Sequence, residues 1–364
     1  MNLPRKLHLD IPLLVGLLLV AALGFVILYS AGGQDTQLLI RHGQRLMLGF
    51  AVLLLLAQLP PYQLQRLAPW LFGIGLILLT AVLVFGDTSK GAQRWLDLKL
   101  FRFQPAEIMK LAAPMMVAWY LKDRPLPPTV RQITLAGLMA IVPAALIAKQ
   151  PDLGTALLVA CAGVFVLLWA GMSWRLVGAF GLGVAVMAPI LWYFLHDYQR
   201  QRILTFLHPE NDPLGTGYHT IQSTIAIGSG GMYGKGWLNG TQAYLDFLPE
   251  RTTDFIFAVY GEEFGLTGIL LLLALYLFII LRGVYIAVRA QDVYARLLAA
   301  SLSLTLFVYV FVNVGMVIGL MPVVGVPLPL ISYGGTSLVT LMAGFGILMS
   351  IHTHRKSLHA RGLY

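Results

Sequence analysis

The chain has 364 residues, of which 58% are hydrophobic and only 11% charged, with a formal net charge of +9. Soluble domains carry roughly 25% charged residues, so a surface this poor in charge cannot be solvated, and most of it must face lipid. That excludes a water-soluble enzyme or binding module, and the positive balance points to Lys and Arg on cytoplasmic loops, with no nucleic-acid partner expected.

Apolar runs of membrane length recur at 11–30, 46–59, 68–86, 105–121, 132–148, 154–171, 174–195, 255–281, 293–320 and 336–352. They predict an all-α, polytopic integral membrane protein of about ten transmembrane helices, organised as a single transmembrane domain over 1–364. The first run is too long for a signal-peptide core and lacks a small-residue cleavage site, so it is expected to remain as a helix. The second run is short. It extends back over Arg41, His42 and Arg45 only if those groups snorkel to an interface. Cys161, the one cysteine, lies inside the sixth run. It can form no intrachain disulfide and reads as a small core residue.

An even helix count puts both termini on one side. Arg5, Lys6, Arg66, Lys122, Arg124, Arg131, Arg175, Arg282, Arg289, Arg296, Arg355, Lys356 and Arg361 all fall there, which makes that side cytoplasmic. The opposite side still carries Lys90, Arg94, Lys99, Arg102, Lys149, Arg200, Arg202, Lys235 and Arg251. Either long loops translocate regardless of charge, or that face meets an anionic ligand. The stretch 196–253 is the one large extracytoplasmic loop. It contains Gly228-Ser229-Gly230-Gly231 and the aromatics Tyr198, Phe206, Tyr218, Trp237, Tyr244 and Phe247. Aromatic content of that kind predicts an ordered loop lying on the membrane surface.

Several polar groups stand out against this background. Glu107 and Lys110, three apart, share a helical face. Ionisable groups at membrane depth face a bundle interior or a wet cavity, and a mutually neutralising structural pair explains them equally. Lys149-Gln150-Pro151-Asp152-Leu153-Gly154-Thr155 is a tight turn in which Asp152 can cap the next helix. Arg200 and Arg202 are either interfacial anchors or a grip on phosphate. Asp254 follows Leu248-Pro249-Glu250-Arg251-Thr252-Thr253 where the loop enters a helix. It is a helix cap (a role Thr253 could also fill) or a general base at a cavity mouth. Glu262 and Glu263 lie about two turns further along. From Pro322 to Ser337, three prolines and Gly334-Gly335 forbid a regular helix. Such backbone is tolerated at membrane depth only where it is buried in protein or lines a cavity.

On these residues the chain resembles the SEDS family (shape, elongation, division and sporulation), over essentially its whole length. Gly325 to Thr336 resembles the family signature, and Gln150 to Thr155 its Gln-Pro-Asp-x-Gly-Thr turn. Gly228 to Gly231, Gly234-Lys235-Gly236-Trp237 and Gly240-Thr241-Gln242 resemble the rod-elongation branch more than the division branch. The resemblance implies a peptidoglycan glycosyltransferase of the bacterial cytoplasmic (inner) membrane. Such an enzyme polymerises lipid II at the outer face, releases undecaprenyl diphosphate, and works with a class B penicillin-binding protein that cross-links the product. By position it implies Asp254 as the catalytic carboxylate. Glu107, Lys110, Gln150, Asp152, Arg200, Lys235, Glu250 and Ser332 fall on other motif positions, and Arg202 joins them as a candidate for substrate phosphate. A divalent cation, Mg or Mn, is a candidate to share the diphosphate charge. Thr252 stands where the family often has His, and His219 where Gln is common, so no role for that His carries over. A lipid II flippase and a non-catalytic scaffold of the wall-synthesis complex are the competing readings.

Overall fold

A computed structural model describes residues 7–89, 92–97, 102–194, 197–208, 216–244, 248 and 250–354. The chain rises and falls through long helices whose starts are written locally. In α1 (Ile11–Ala31) the Asp10 carboxylate accepts from Leu13 N at 2.9 Å and proline sits in the first turn, satisfying orphan donors of the first turn. Asp35 caps α2 (Thr36–Gln58) through Gln37 N at 2.8 Å. α3 (Pro61–Phe85) and α4 (Pro105–Leu121) each begin on proline. In α5 (Val130–Lys149) the Gln132 side chain reaches back to Thr129 N at 2.8 Å.

Between α3 and α4 lies a small antiparallel sheet, β1 (Asp87–Ser89), β2 (Ala92–Asp97) and β3 (Arg102–Phe103). The hydropathy pattern gives no sign of it. Asp152 caps α6 (Leu153–Trp169), and α7 (Trp174–Phe194) follows. Three helices then occupy the large loop: α8 (Asp197–Leu207), α9 (Thr216–Gly230) and α10 (Thr241–Tyr244). The chain closes with α11 (Ile256–Val288), α12 (Val293–Val317) and α13 (Thr336–Thr353).

Among the described residues, α1, α2, α3, α5, α11, α12 and α13 are long and apolar enough to cross a membrane. α4 and α6 have 17 residues each and α7 has 21, so the remaining rods expected from sequence are also present. α12 is the hub. The apolar window of α12 is 72% buried, against 22% for those of α2, α5 and α11, and it packs on α4, α6, α11 and α13. Outward positions such as Leu55, Trp70, Ile77 and Phe85 are 68% exposed or more, the pattern of a bundle whose solvent is hydrocarbon. The chain is therefore an all-α, multi-pass membrane protein.

Three features differ from expectation. α2 begins ten residues earlier than its apolar run and takes in Arg41, His42 and Arg45. His42 is buried rather than snorkelling. α11 runs to Val288, because the Arg282 guanidinium is neutralised inside the bundle by Asp10 at 2.7 and 3.1 Å. The described parts of the large loop are largely helical, yet α9 does not merely lie on the surface: it packs against α11 and α12, with Ser223 and Ala226 fully buried. Small residues allow the approach, since a side chain at Gly230 would overlap the Gly261 carbonyl on α11.

Candidate active site

Alternation of direction brings the connections at 32–35, 86–104, 150–152, 195–255 and 318–335 to one end of the bundle. The centre of that end is the irregular segment after α12, where Gly319, Gly325 and Leu330 have φ of 76°, 76° and 63°. Its three prolines lack N–H groups, so it is rich in acceptors, and donors arrive from three neighbouring helices. Asn313 of α12 donates to Val326 O at 2.8 Å. The Tyr276 hydroxyl of α11 donates to Pro329 O at 2.6 Å. Arg202 of α8 donates to Val323 O at 2.9 Å. The Ser332 hydroxyl accepts from Leu328 N at 2.8 Å and donates to Thr253 O at 2.6 Å. Tyr333 N adds a bond to Thr252 O at 2.8 Å. The segment and the entry to α11 are thus fastened as one unit.

Asp254 stands in that unit, half-buried. Its backbone carbonyl accepts from Asn313 Nδ2 at 2.9 Å, and its Oδ2 lies 3.5 Å from where a Cβ on Gly325 would be. The N-cap of α11 falls on Phe255, without a side-chain capping bond. The expectation that Asp254 or Thr253 caps this helix is therefore not met. Thr253 instead donates its hydroxyl to Glu250 Oε2 at 2.8 Å, closing an exposed turn in which Glu250 has φ 57°. Beside that turn is a 490 Å³ depression lined by Ala31, Gly32, Leu38, Leu248, Glu250, Arg251 and Thr252.

The Gln150–Thr155 turn meets the same segment from the other side. A side chain at Gly154 would press on Val324 O, 2.8 Å from its Cβ, so only glycine allows the approach. Asp152 caps Thr155 N at 3.2 Å, and its second oxygen accepts from Gln104 Nε2 at 2.9 Å. Gln150 donates to Leu79 O at 2.9 Å. Arg94 of β2 donates to Pro151 O, so the small sheet braces the turn.

Glu107 and Lys110 form the contact their spacing predicts, at 2.8 Å, each 5% exposed. The Lys110 ammonium also lies 5.4 Å from the centre of the Tyr309 ring. Glu107 Oε2 has no hydrogen-bond partner. Beside Lys110 is a cavity of about 30 Å³, room for a single water. It continues among Leu302, Leu306, Phe345 and Leu348.

Two further candidate cations are engaged by the protein. Arg200 donates to Trp192 O and Tyr193 O at 3.0 and 2.8 Å, tying α8 to the end of α7. Lys235 is not gathered with Asp254 by any described contact. It pairs with the buried Glu262 at 2.6 Å and donates to Thr241 at 2.7 Å. Glu262 also accepts from Thr241 N and Gln242 N, while Ser30 of α1 donates to Glu263. The two acids that stood unexplained at membrane depth are therefore the anchor of the loop. Asn313, Tyr309 and Gln104 were missed as site residues. The signal for Asn313 was available, because it is a lone amide inside a long apolar run. Among the described residues, no group of three or more His, Cys, Asp or Glu is placed to hold a metal ion.

The sequence model of the FTSW_RODA_SPOVE family, described as "Cell cycle protein", matches residues 6–357. The peptidoglycan glycosyltransferase MrdB of Escherichia coli K12 is 56% identical over 97% of this chain and 96% of its own. A probable peptidoglycan glycosyltransferase FtsW of Geobacter metallireducens is 36% identical over 98% of this chain and 99% of its own. Two solved structures are similar. One, from work on the structural coordination of polymerization and crosslinking by a peptidoglycan synthase complex, has a TM-score of 0.81 at 38% identity, covering 94% of this chain and 97% of that one. The rod shape determining protein RodA of Thermus thermophilus has a TM-score of 0.72 at 32% identity, covering 96% and 98%.

Proposed function

From the premise that the chain belongs to the FTSW_RODA_SPOVE family, we infer that it is a peptidoglycan glycosyltransferase that polymerises lipid II into glycan strands during cell elongation. The observation that carries this reading is convergence. Residues spread from Gln104 to Ser332 are drawn by the proline-rich segment to the one end of the bundle where Asp254 stands. That end is the outer face of the bacterial cytoplasmic membrane, with both termini cytoplasmic.

In the reaction, the 4-hydroxyl of one sugar attacks the anomeric carbon of another, whose bond to the diphosphate breaks with its electron pair. The Asp254 carboxylate accepts the hydroxyl proton as the new bond forms. The guanidinium charges that Arg200, Arg202 and Arg251 bring to this end favour departure of undecaprenyl diphosphate. Glu107, Lys110, Gln150, Asp152, Glu250 and Ser332 hold the shape of the site, and Lys235 fastens the large loop to Glu262. A divalent cation, Mg or Mn, would arrive with the substrate's phosphates rather than in an all-protein cage, in keeping with the lack of a ligand cluster among the described residues. The partner is a class B penicillin-binding protein. An apolar groove of 220 Å³ between Leu273 of α11 and Phe307, Phe311 and Val314 of α12 is a surface suited to a single transmembrane span.

Transport of lipid II requires a wide polar path to the opposite end, whereas the cavity beside Lys110, although it touches Thr305, Tyr309 and Thr340, has only about 30 Å³. The deciding experiment gives purified protein and lipid II, without other enzymes, and looks for glycan polymer on a gel. Polymer is expected. Translocation of lipid II across vesicles with no polymer would sink the assignment.

A further inference from the structure

At the end opposite Asp254, a 570 Å³ pocket is lined by Leu126, Pro127, Trp169, Ala170, Gly171, Val288 and Arg296. It lies at the far end of the bundle because α11 starts beside Asp254 and finishes at Val288, a rise of about 50 Å at 1.5 Å per residue. Its walls come from the α4–α5 connection, the end of α6, the end of α11 and the first turn of α12. All of these are places where a span leaves the hydrocarbon, so the pocket sits at headgroup depth.

The chemistry of the lining is two-sided. Leu126, Pro127, Val288 and the half-buried indole of Trp169 make an apolar wall, and tryptophan is favoured at this depth. The cation is Arg296, half-buried in α12, with no ion pair among the described residues. Asp123 of the α4–α5 connection pairs with Lys122 at 3.4 Å, and Asp292, at the N-cap of α12 one turn before Arg296, is exposed. Exposed Arg131, Arg175 and Arg289 ring the same end. After α6, Leu168 O and Leu167 O accept from Gly171 N and Met172 N, and after α11, Tyr285 O accepts from Arg289 N. The pocket has the volume of a small-ligand site and holds one guanidinium in an apolar cleft at a membrane interface.

We propose that this pocket binds the headgroup of an anionic phospholipid from the leaflet opposite the site of synthesis, with Arg296 on the phosphodiester and Trp169 against the glycerol and first methylenes. Guanidinium matches phosphate geometry, and basic pockets between transmembrane helices on the cytoplasmic side take such headgroups. The site needs neither lipid II nor an active Asp254.

The test is native mass spectrometry of the full-length protein in a neutral detergent, titrated with dioleoylphosphatidylglycerol, dioleoylphosphatidylcholine or inorganic phosphate. The parent should retain one phosphatidylglycerol in preference to phosphatidylcholine. Arg296→Gln should weaken that retention about fivefold, the contribution of one basic residue beside anionic lipid, while the exposed Arg131→Gln should change it little. Val288→Trp, which keeps Arg296 but obstructs the pocket, should weaken retention at an unchanged thermal midpoint, and it decides the matter if Arg296→Gln fails to fold. Equal retention by both pocket variants and the parent overturns the proposal. So does equal retention of phosphatidylcholine, or displacement of the lipid by millimolar inorganic phosphate, which marks a simple anion site. The readout is lipid retention, so polymerisation activity does not bear on it.

Discussion

At Asp254 the two tasks open to a carboxylate are separated by position. Phe255 occupies the N-cap of α11, so replacing Asp254 costs no helix cap, and a catalytic loss cannot be ascribed to one. Asp254→Asn should insert and unfold like the parent but lose about 10²–10⁴-fold in polymerisation, the usual contribution of a general base. Initial rates on lipid II at equal protein check this, and near-parental rates would remove Asp254 from the mechanism. Asn313 acts one step away, since one amide group holds both Asp254 O and Val326 O. Asn313→Leu keeps the volume and leaves two carbonyls unpaired, at about 1–3 kcal/mol. A drop in kcat larger than the change in lipid II affinity identifies it as a positioning residue, and parental kcat would contradict that. Glu107 and Lys110, buried and 2.8 Å apart, should behave as a unit. Lys110→Met alone leaves an unpaired buried acid, costing about 3–5 kcal/mol, whereas Glu107→Leu with Lys110→Met should be milder. Thermal unfolding in detergent of the parent and these two variants tests the order. This pair, Asp254 and the 322–337 break were legible because each violates a local rule of membrane helices. The partners of Arg200 and Arg202 were not, since an acceptor carbonyl is invisible in a sequence, and neither was the pairing of Lys235 with Glu262 across 27 positions, so a cation that braces the chain looks the same as one that waits for phosphate.

Among the elements, α11 is the one whose apolar run misleads. It reads as continuous, yet Gly265 has φ 63° and ψ −164°. At this break the loop hydrogen-bonds to the opened helix. Leu266 N and Thr267 N donate to Gly231 O and Met232 O, and Lys235 N and Gly236 N donate to Glu262 O and Glu263 O. A Cβ at position 265 would overlap Gly234 N, with Met232 O only 2.8 Å away. Gly265→Ala should therefore cost at least about 1–3 kcal/mol and release the 231–244 segment. Limited proteolysis should cut there faster than in the parent, and an unchanged cleavage pattern would show that the break does not hold the loop. The three-stranded sheet escaped notice for a related reason. Its strands are short and polar, and one of their attachments is the Arg94 bond to Pro151 O, a contact between segments far apart in sequence. α9 escaped because its buried face is made of small residues, which give little hydropathy signal.

For the whole molecule, hydropathy alone located the long rods found among the described residues, because in lipid each rod must satisfy its backbone internally and so declares itself by length and composition. Which rod touches which was not recoverable, and the far end of the bundle shows why. There Asp10 of the first turn binds Arg282 near the end of α11 and His352 near the end of α13, the latter at 3.3 Å. His8 stacks on His354 with ring centres 3.8 Å apart and meets Thr353 at 3.3 Å. Leu7 O accepts from Gln58 at 2.6 Å. Residues some 345 positions apart in the chain are thereby neighbours in space, and the path of the backbone is in effect a closed circuit. Where the entry to the first helix meets the exit of the last, the order of the spans along the chain is a matter of convention rather than architecture. A circular permutant that joins residue 7 to residue 354 by a short linker and opens in the 122–129 connection keeps every span in its original direction. It should insert, fold and retain lipid II polymerisation. A permutant that inserts but cannot fold would mean that the order in which the spans enter the membrane, and not only their final contacts, is encoded in this chain.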